Sequence, residues 1–197
     1  MINYVRILTY QNGGGIKMFL SEILMRENVV ASINQNIDKL LYFIPELKCM
    51  MGFQEKESNY NLDLWNRTLL SLFNSEADLD VRLVILLRDI GKPFSYSTRM
   101  GKDLKDHAKV SAKMSYDILK RFGFSEVYIQ KIVYLIGQHN KKIENRFIIE
   151  NIELARKLYE VQCSDDLPYN PNYFPKRKRY LFGVKEKIKR EEIRSFY

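Results

Sequence analysis

The sequence predicts an all-α fold of about six to eight helices joined by short connections. Apolar residues recur three and four positions apart through most of the chain, which is the spacing of one helix face. Ser and Asp residues precede several of these segments, and Gly or Pro residues follow them, as at helix starts and ends. No segment alternates apolar and polar residues strongly enough to predict a sheet. The 197 residues, 46% of them hydrophobic, suit one domain with a single core.

The first predicted helices are short and closely spaced. Apolar positions indicate helices over residues 18–28 and 36–44, and Pro45 and Gly52 bound the connection that follows. The next apolar pattern runs over residues 62–73 and keeps the same helical spacing. We therefore expect three helices between residues 18 and 73.

The central segment, residues 81–87, is apolar nearly all round and is predicted to be buried. Over so short a run, periodicity alone does not separate a buried helix from a buried strand. Asp78 or Asp80 is placed to cap a helix start, while Gly91 and Pro93 predict its end. These flanking residues favour a helix.

Three further segments complete the predicted bundle. Residues 94–105 are polar and are interpreted as a loop. Asp106 is placed to cap a helix that ends at Gly123, and Ser125 is placed to cap the next helix. Residues 146–162 are predicted to form one more continuous helix.

The chain divides into three regions by composition. Residues 1–17 contain a Gly-Gly-Gly run and predict a flexible extension, with Met18 expected to be the natural start. Residues 18–170 are the predicted helical domain, and residues 171–197 are a basic tail. The tail holds nine Lys/Arg and three Asp/Glu, so it carries +6 of the net charge of +8 and the domain is nearly neutral.

The basic tail has more than one interpretation. Four consecutive basic residues are suited to contact a nucleic-acid phosphate backbone. These residues are Lys176, Arg177, Lys178 and Arg179. A solvated face explains the same run, and the apolar residues within 180–194 lie near helical spacing. A basic amphipathic helix that docks on its own domain therefore explains the tail equally well.

Composition also bears on location. The sequence has no run of about 18 apolar residues, so no membrane partner is expected. It shows no charged start followed by an apolar segment, so no secretory signal is expected. Cys49 and Cys163 cannot build a disulfide scaffold and fit no paired zinc-ligand spacing. We therefore expect a cytoplasmic protein with reduced thiols.

Histidine is scarce, and each histidine has an ordinary interpretation beside a functional one. His139 falls on the apolar face of its predicted helix, where a histidine is commonly a satisfied core residue. His107 opens its helix beside Asp106, where it could simply be exposed. Neither residue alone indicates a site.

Charged residues near the ends of apolar segments strengthen the case for a site. Asp89 ends the apolar central segment, where a carboxylate must be paired, hydrogen-bonded or bound to a metal. Arg88 precedes it, Arg67 lies in another largely apolar helix, and Asp165 follows a third. Helical bundles build polar sites from groups that converge in this way.

Three stretches resemble a known family. Residues 44–70 include Leu-Trp-Asn-Arg-Thr-Leu-Leu, residues 81–93 end in Leu-Leu-Arg-Asp-Ile-Gly-Lys-Pro, and residues 107–165 run from His-Ala to Cys-Ser-Asp. Together they resemble the C-terminal part of bacterial tRNA nucleotidyltransferases (the CCA-adding enzyme and poly(A) polymerase family), which contains an HD domain. No stretch of this sequence resembles the nucleotidyltransferase head, so the resemblance implies an HD-like helical bundle and not CCA addition.

The resemblance implies a set of functional positions. HD domains are metal-dependent phosphohydrolases, whose ions are Mn, Mg, Zn, Ni or Fe. The matching metal-ligand positions are Asp89, His107, His139 and Asp165. Asp89 and Lys92 would take the catalytic roles, with Lys92 beside the leaving phosphate.

Three positions depart from the HD pattern. Arg67 stands at the early ligand His, Arg88 stands at the His of the His-Asp pair, and Tyr60 stands where close relatives usually have a His. Guanidinium has only donors and stays protonated, so it cannot bind a metal ion and would repel one. We therefore expect a weakened metal site.

The two arginines admit two interpretations. With Lys92 they would form a phosphate-binding pocket, since Arg offers bidentate phosphate contacts. Alternatively, Arg67 and Arg88 only neutralise Asp89 and Asp165 as internal ion pairs.

Three functions follow from the sequence. The favoured one is a degenerate HD domain with reduced or lost hydrolase activity that binds phosphate, nucleotide or RNA. The second is an active, divergent HD phosphohydrolase. The third is a helical module for a protein partner, which the sequence does not identify.

Overall fold

The computed structural model describes residues 13–54, 62–97, 102–103, 106–165 and 174–194. Within these residues the chain is all-α, as predicted, with eleven α-helices, nine of them at least seven residues long. The helices are α1 (Gly13–Met25), α2 (Val29–Gln35), α3 (Ile37–Phe43), α4 (Leu64–Phe73), α5 (Leu79–Leu87), α6 (Lys92–Ser95), α7 (His107–Arg121), α8 (Glu126–Gln138), α9 (Asn145–Glu150), α10 (Ile152–Ser164) and α11 (Phe174–Arg194). None of the helices in these ranges is long and apolar enough to cross a membrane.

The prediction of six to eight helices was too low for three local reasons. The sequence pattern missed α2, and the predicted helix over residues 146–162 is two helices, α9 and α10. Asn151 separates these helices with φ −146° and ψ 59°, which is not helical backbone. The third reason is that the short α6 was not predicted. Pro93, which was expected to mark the end of a helix, occupies the second position of α6.

The connections also differ in detail from the prediction. Pro45–Met50 forms a 3-10 helix. The predicted loop over residues 94–105 includes two paired two-residue strands, β1 (Tyr96–Ser97) and β2 (Lys102–Asp103). Helix α1 begins at Gly13, five residues before the predicted start. Residues 1–12, the remainder of the predicted extension, lie outside the described part of the chain.

Helix α5 is the centre of the bundle. Its residues from Asp80 to Leu87 are all buried, and α5 contacts α1, α4, α7, α8 and α10. Asp78 caps it, because the Asp78 side chain accepts a hydrogen bond from the Val81 N–H at 3.0 Å. A helix that is apolar on nearly all sides is stable only when other elements enclose it. The segment predicted to be buried is therefore the central helix of the bundle.

Two ion-paired aspartates at the start of α5 fix its neighbours. Asp80 accepts hydrogen bonds from Lys131 Nζ on α8 and from the Tyr128 hydroxyl, both at 2.7 Å. Lys157 Nζ on α10 lies 2.7 Å from Asp78 Oδ2 and 3.0 Å from Asp80 Oδ2. These contacts tie α8 and α10 to one end of the central helix.

The tail forms a helix that docks on the domain, as one interpretation of the sequence proposed. Leu181, Val184 and Ile188 of α11 are buried, and α11 contacts α9 and α10. Ile193, by contrast, is 59% exposed and does not extend the buried stripe.

Candidate functional site

The candidate site lies where α5 ends. Arg88 is the C-cap of α5, and the chain then turns through Asp89, Ile90 and Gly91 into α6. The Gly91 N–H donates a hydrogen bond to Ser111 Oγ of α7 at 2.9 Å. A Cβ at Gly91 would lie 2.5 Å from the backbone nitrogen of Ser111, so only glycine fits this approach. The close contact brings the first turns of α7 against Asp89.

Two histidines reach Asp89 from α7 and α8, which form an antiparallel hairpin. Gly123, with φ 74°, lies in the turn between these helices, and the turn places the first residue of α7 beside the end of α8. His107 opens α7 and His139 is the C-cap of α8. Their ring centroids lie 5.5 Å apart. The hairpin thus joins two residues that are distant in sequence.

Asp89, His107 and His139 form a compact group of metal-ligand atoms. Their donor atoms lie within 4.8 Å of one another, with His107 Nε2 at 3.6 Å and His139 Nε2 at 3.9 Å from Asp89 Oδ1. A zinc ion about 2.1 Å from each of three tetrahedral ligands would separate them by about 3.4 Å. The three side chains would therefore need to move only slightly closer together to bind such an ion.

The state of His139 suits a ligand. Its Nδ1 lies 2.7 Å from the Ile136 carbonyl oxygen, so Nδ1 carries the proton and Nε2 presents its lone pair to Asp89. Burial lowers the pKa of His139 to about 4, with a smaller contribution from Arg88, although Asp89 opposes the shift. The imidazole is therefore neutral at pH 7.

Asp89 is ionised and almost fully buried. Burial raises its pKa, but the positive charges of Lys92 and Arg88 hold the pKa of Asp89 well below its usual range. Lys92 Nζ lies 3.2 Å from Asp89 Oδ1. Among the described residues, none makes a well-directed hydrogen bond to this oxygen. Oδ1 therefore faces an ammonium group and two imidazoles.

Arg88 makes contacts inside the protein rather than at an open pocket. Its side chain is 3% exposed, and its Nη2 lies 2.6 Å from Asp165 Oδ1. Nη2 also donates to Ser71 Oγ at 3.0 Å, Nη1 donates to the Val161 carbonyl at 3.2 Å, and Nε lies 3.5 Å from Asp89 Oδ2. These contacts engage every guanidinium nitrogen, which is the arrangement that the internal ion-pair interpretation predicts.

The other predicted site residues are distributed around this centre. Asp165 is not in the ligand group found among the described residues, and its carboxylate instead contacts Arg88 and Ser71. Arg67 is half-buried on α4, one helical turn before Ser71. Tyr60, the third departure from the HD pattern, lies outside the described residues.

Sequence reasoning missed two residues that hold the site together. Ser71 contacts both Arg88 and Asp165. Gln162 is buried, and its amide donates to the carbonyl oxygens of His139 at 3.1 Å and Lys141 at 2.7 Å. No local pattern marks either residue, since both act on partners that are distant in sequence.

The basic run at the start of the tail is divided by the helix. Lys176 and Arg177 line a cleft of about 400 Å³ together with residues of the α8–α9 connection. Lys178 and Arg179 are exposed and are not among the residues that line this cleft. Successive residues of a helix point about 100° apart, so four consecutive side chains cannot share one face.

Comparison with known proteins gives a distant similarity. No family model matches the chain. The chain is 23% identical over 168 residues to the CC-adding tRNA nucleotidyltransferase of Thermus thermophilus, a match that covers 77% of this chain and 38% of the relative. The chain thus spans about two fifths of the length of that relative. This chain is therefore an all-α protein that is distantly similar to part of a tRNA nucleotidyltransferase, and it contains an Asp/His/His group that could hold a metal ion.

Proposed function

We propose that this chain is a degenerate HD-type domain, related to metal-dependent phosphohydrolases, in which the metal centre is weakened and hydrolysis reduced or lost. One observation carries the proposal. The guanidinium of Arg88, which the HD resemblance assigns to the position of a metal-binding histidine, contacts both Asp89 and Asp165. These are the two carboxylates that the HD resemblance assigns to the metal. A fixed internal cation therefore takes over the neutralisation that an ion would provide.

Electrostatics explains why this exchange weakens metal binding. A divalent ion at Asp89 would meet the charges of Arg88 and Lys92, which lie 3.5 Å and 3.2 Å from its carboxylate oxygens. Two unit like charges about 4 Å apart repel by about 4 kcal/mol at an effective dielectric constant of about 20. An ion would also lack Asp165 as a ligand while that carboxylate stays bound to Arg88.

A ligand with phosphate groups is the second part of the proposal. It is supported by the distant similarity to a tRNA nucleotidyltransferase and by the basic tail. Lys92 and Arg67 remain the candidates for phosphate contacts near the Asp89 group, and the four basic residues 176–179 at the start of α11 are the candidates for contacts with RNA. A cytoplasmic location is part of the same proposal.

A specific observation also favours the second candidate function, a weakly active phosphohydrolase. Asp89 Oδ1 and the two histidines form a three-ligand group, and a neutral His139 suits coordination. Asp89, His107 and His139 would hold an ion that acts as a Lewis acid and lowers the pKa of water. The ligand set of two histidines and one carboxylate is typical of Fe(II) sites.

The experiment that separates these functions measures metal content and hydrolysis together. Purified protein is compared with an Arg67→His/Arg88→His variant by elemental analysis for Mn, Fe, Ni and Zn, and by hydrolysis of bis(p-nitrophenyl) phosphate. We expect far less than one ion per chain in the parent and a gain of metal and activity in the variant. An Arg146→His/Arg156→His variant, which places histidines at exposed positions, controls for metal bound at the surface.

Two outcomes would contradict the proposal. Stoichiometric metal with hydrolysis in the parent would establish the weakly active enzyme instead. A folded double variant with no more metal than the control would show that the arginines are not what weakens the site. Circular dichroism establishes folding, and Arg88→His alone serves if the double variant is unstable.

A further inference from the structure

A basic cleft lies beside the candidate site, between the α8–α9 connection and the start of α11. Its volume is about 400 Å³. Its lining residues are Asn140, Lys141, Lys142, Lys176, Arg177 and Tyr180. Four of these six side chains are cationic and none is a carboxylate. A concave surface lined by one sign of charge concentrates ions of the opposite sign.

The two walls of the cleft are held in place by one buried amide. Gln162 is 2% exposed, and its Nε2 donates to the Lys141 carbonyl at 2.7 Å. Its Oε1 accepts a hydrogen bond from the Tyr180 hydroxyl at 3.1 Å, and that hydroxyl accepts one from the Ile143 N–H at 2.9 Å. A buried network in which each member is satisfied is rigid, so the cleft is formed before any ligand binds.

The positive charges of the cleft come from two separate chain segments, the α8–α9 connection and the start of α11. Lys141, Lys142 and Lys176 are exposed. Arg177 lies 5.9 Å from the centre of the Tyr180 ring and donates to the Gln162 carbonyl at 3.3 Å. A site for one small anion collects several donors onto a single position. Exposed cations on two separate chain segments instead suit successive phosphates of a strand.

We propose that this cleft binds the sugar–phosphate backbone of a single-stranded nucleic acid. The inference rests on the proposed phosphate-containing ligand and names its site and chemical class. Lys141 lies two residues after His139, and Gln162 contacts the carbonyl oxygens of both residues. A strand in the cleft would therefore run past the end of α8, next to the Asp89 group.

The test compares two variants that lose the same charge. A fluorescein-labelled 12-nucleotide single-stranded RNA is titrated with the full chain, and fluorescence anisotropy is followed at several salt concentrations. The cleft variant is Lys141→Ala/Lys142→Ala/Lys176→Ala, and the control is Lys187→Ala/Lys189→Ala/Arg190→Ala on α11. All six residues are exposed, so neither variant is expected to disturb the fold.

We expect the cleft variant to bind RNA at least about tenfold more weakly at moderate salt, and the control to change by less than about threefold. Each phosphate contact on a single strand contributes about 0.7 to the slope of log K against log salt. Loss of three contacts should therefore reduce that slope by about 2. Inorganic phosphate and uridine monophosphate, tested as competitors, should displace the RNA only weakly.

Four outcomes would overturn the proposed binding site. Equal weakening in both variants would show that net charge alone attracts RNA. Competition by uridine monophosphate as strong as by unlabelled 12-mer would indicate a small-anion site. If the parent protein does not bind the RNA, nucleic acid is not a ligand of this protein. If RNA binding survives in the cleft variant, only this site is rejected and the proposed function stands. The metal measurements described above are independent of all of these RNA-binding results.

Discussion

Arg88 and Asp165 join the end of the central helix α5 to the end of α10 through a contact of 2.6 Å between Nη2 and Oδ1. Arg88 is buried, whereas the Asp165 side chain is 33% exposed. Ser71 of α4 contacts both groups. One guanidinium therefore joins the ends of α5 and α10 to α4.

Removal of Arg88 alone should be strongly destabilising, because it leaves the buried Asp89 charge with less compensation. We expect Arg88→Met to lower the free energy of unfolding by about 3 kcal/mol. Arg88→Met/Asp165→Leu should cost less than the sum of the two single changes, because the pair is lost together. Urea denaturation of the four proteins measures the difference, and additive effects would show that the pair does not couple.

Lys92 should compete with a metal ion for Asp89. Its ammonium lies 3.2 Å from Asp89 Oδ1, the same oxygen that both histidines face. We expect Lys92→Met to raise the affinity for Mn²⁺ or Zn²⁺ by about tenfold or more, since a nearby positive charge is removed. Calorimetric titration measures the affinity, with Lys109→Met, at an exposed position, as the control. Unchanged affinity would mean that Arg88 alone opposes the ion.

The aspartate network at the start of α5 should make stability depend on acid pH. Burial raises the pKa of Asp80, but hydrogen bonds from Lys131, Tyr128 and Lys157 outweigh it and leave the pKa below its usual value. A carboxyl with a lowered folded-state pKa stabilises the fold above its unfolded pKa of about 3.8, and this contribution is lost as pH falls through the folded pKa.

The matching variant is Asp80→Asn. We expect it to lower the free energy of unfolding by about 3 kcal/mol at pH 7, because three half-buried partners lose the buried carboxylate that is their charged acceptor. The difference from the parent should shrink below pH of about 3.8. Denaturant unfolding across pH measures this, and the exposed Asp117→Asn should have little effect at any pH. A constant difference across pH would contradict the linkage.

Gly91 should tolerate no side chain, whereas Gly137 should. A Cβ at Gly91 would lie 2.5 Å from the Ser111 backbone nitrogen, while a Cβ at Gly137 would meet nothing within 4 Å. We expect Gly91→Ala to cost about 1–3 kcal/mol through overpacking, and Gly137→Ala in α8 to stabilise by about 0.5–1 kcal/mol. Thermal and urea unfolding test both. Equal effects at the two positions would show that α7 can move away from Asp89.

The helices that could be predicted closely are those with a long apolar repeat and a capping residue. Ser125 accepts a hydrogen bond from the Tyr128 N–H at the start of α8, as its position predicted. Helix α2 has only seven residues, which is too short for a clear repeat. The break at Asn151 was invisible because the apolar spacing continues across it and neither Gly nor Pro marks the site.

The residues of the candidate site could be predicted from the sequence better than the contacts between their side chains. The resemblance to HD domains placed Asp89, His107 and His139 together, and the structure brings these three into one group. The sequence left open whether Arg88 binds a ligand or an internal partner. Only packing decides that question, because Ser71 and Asp165 lie 17 and 77 residues away in the chain.

The guanidinium of Arg88 has a consequence for the stability of the fold when metal ions are removed. A domain whose helix ends are joined through a bound ion comes apart when a chelator removes that ion. In the degenerate domain proposed above, the corresponding link is a side chain of the polypeptide itself. The melting temperature should therefore be the same with and without EDTA, so that this protein stays folded through metal starvation.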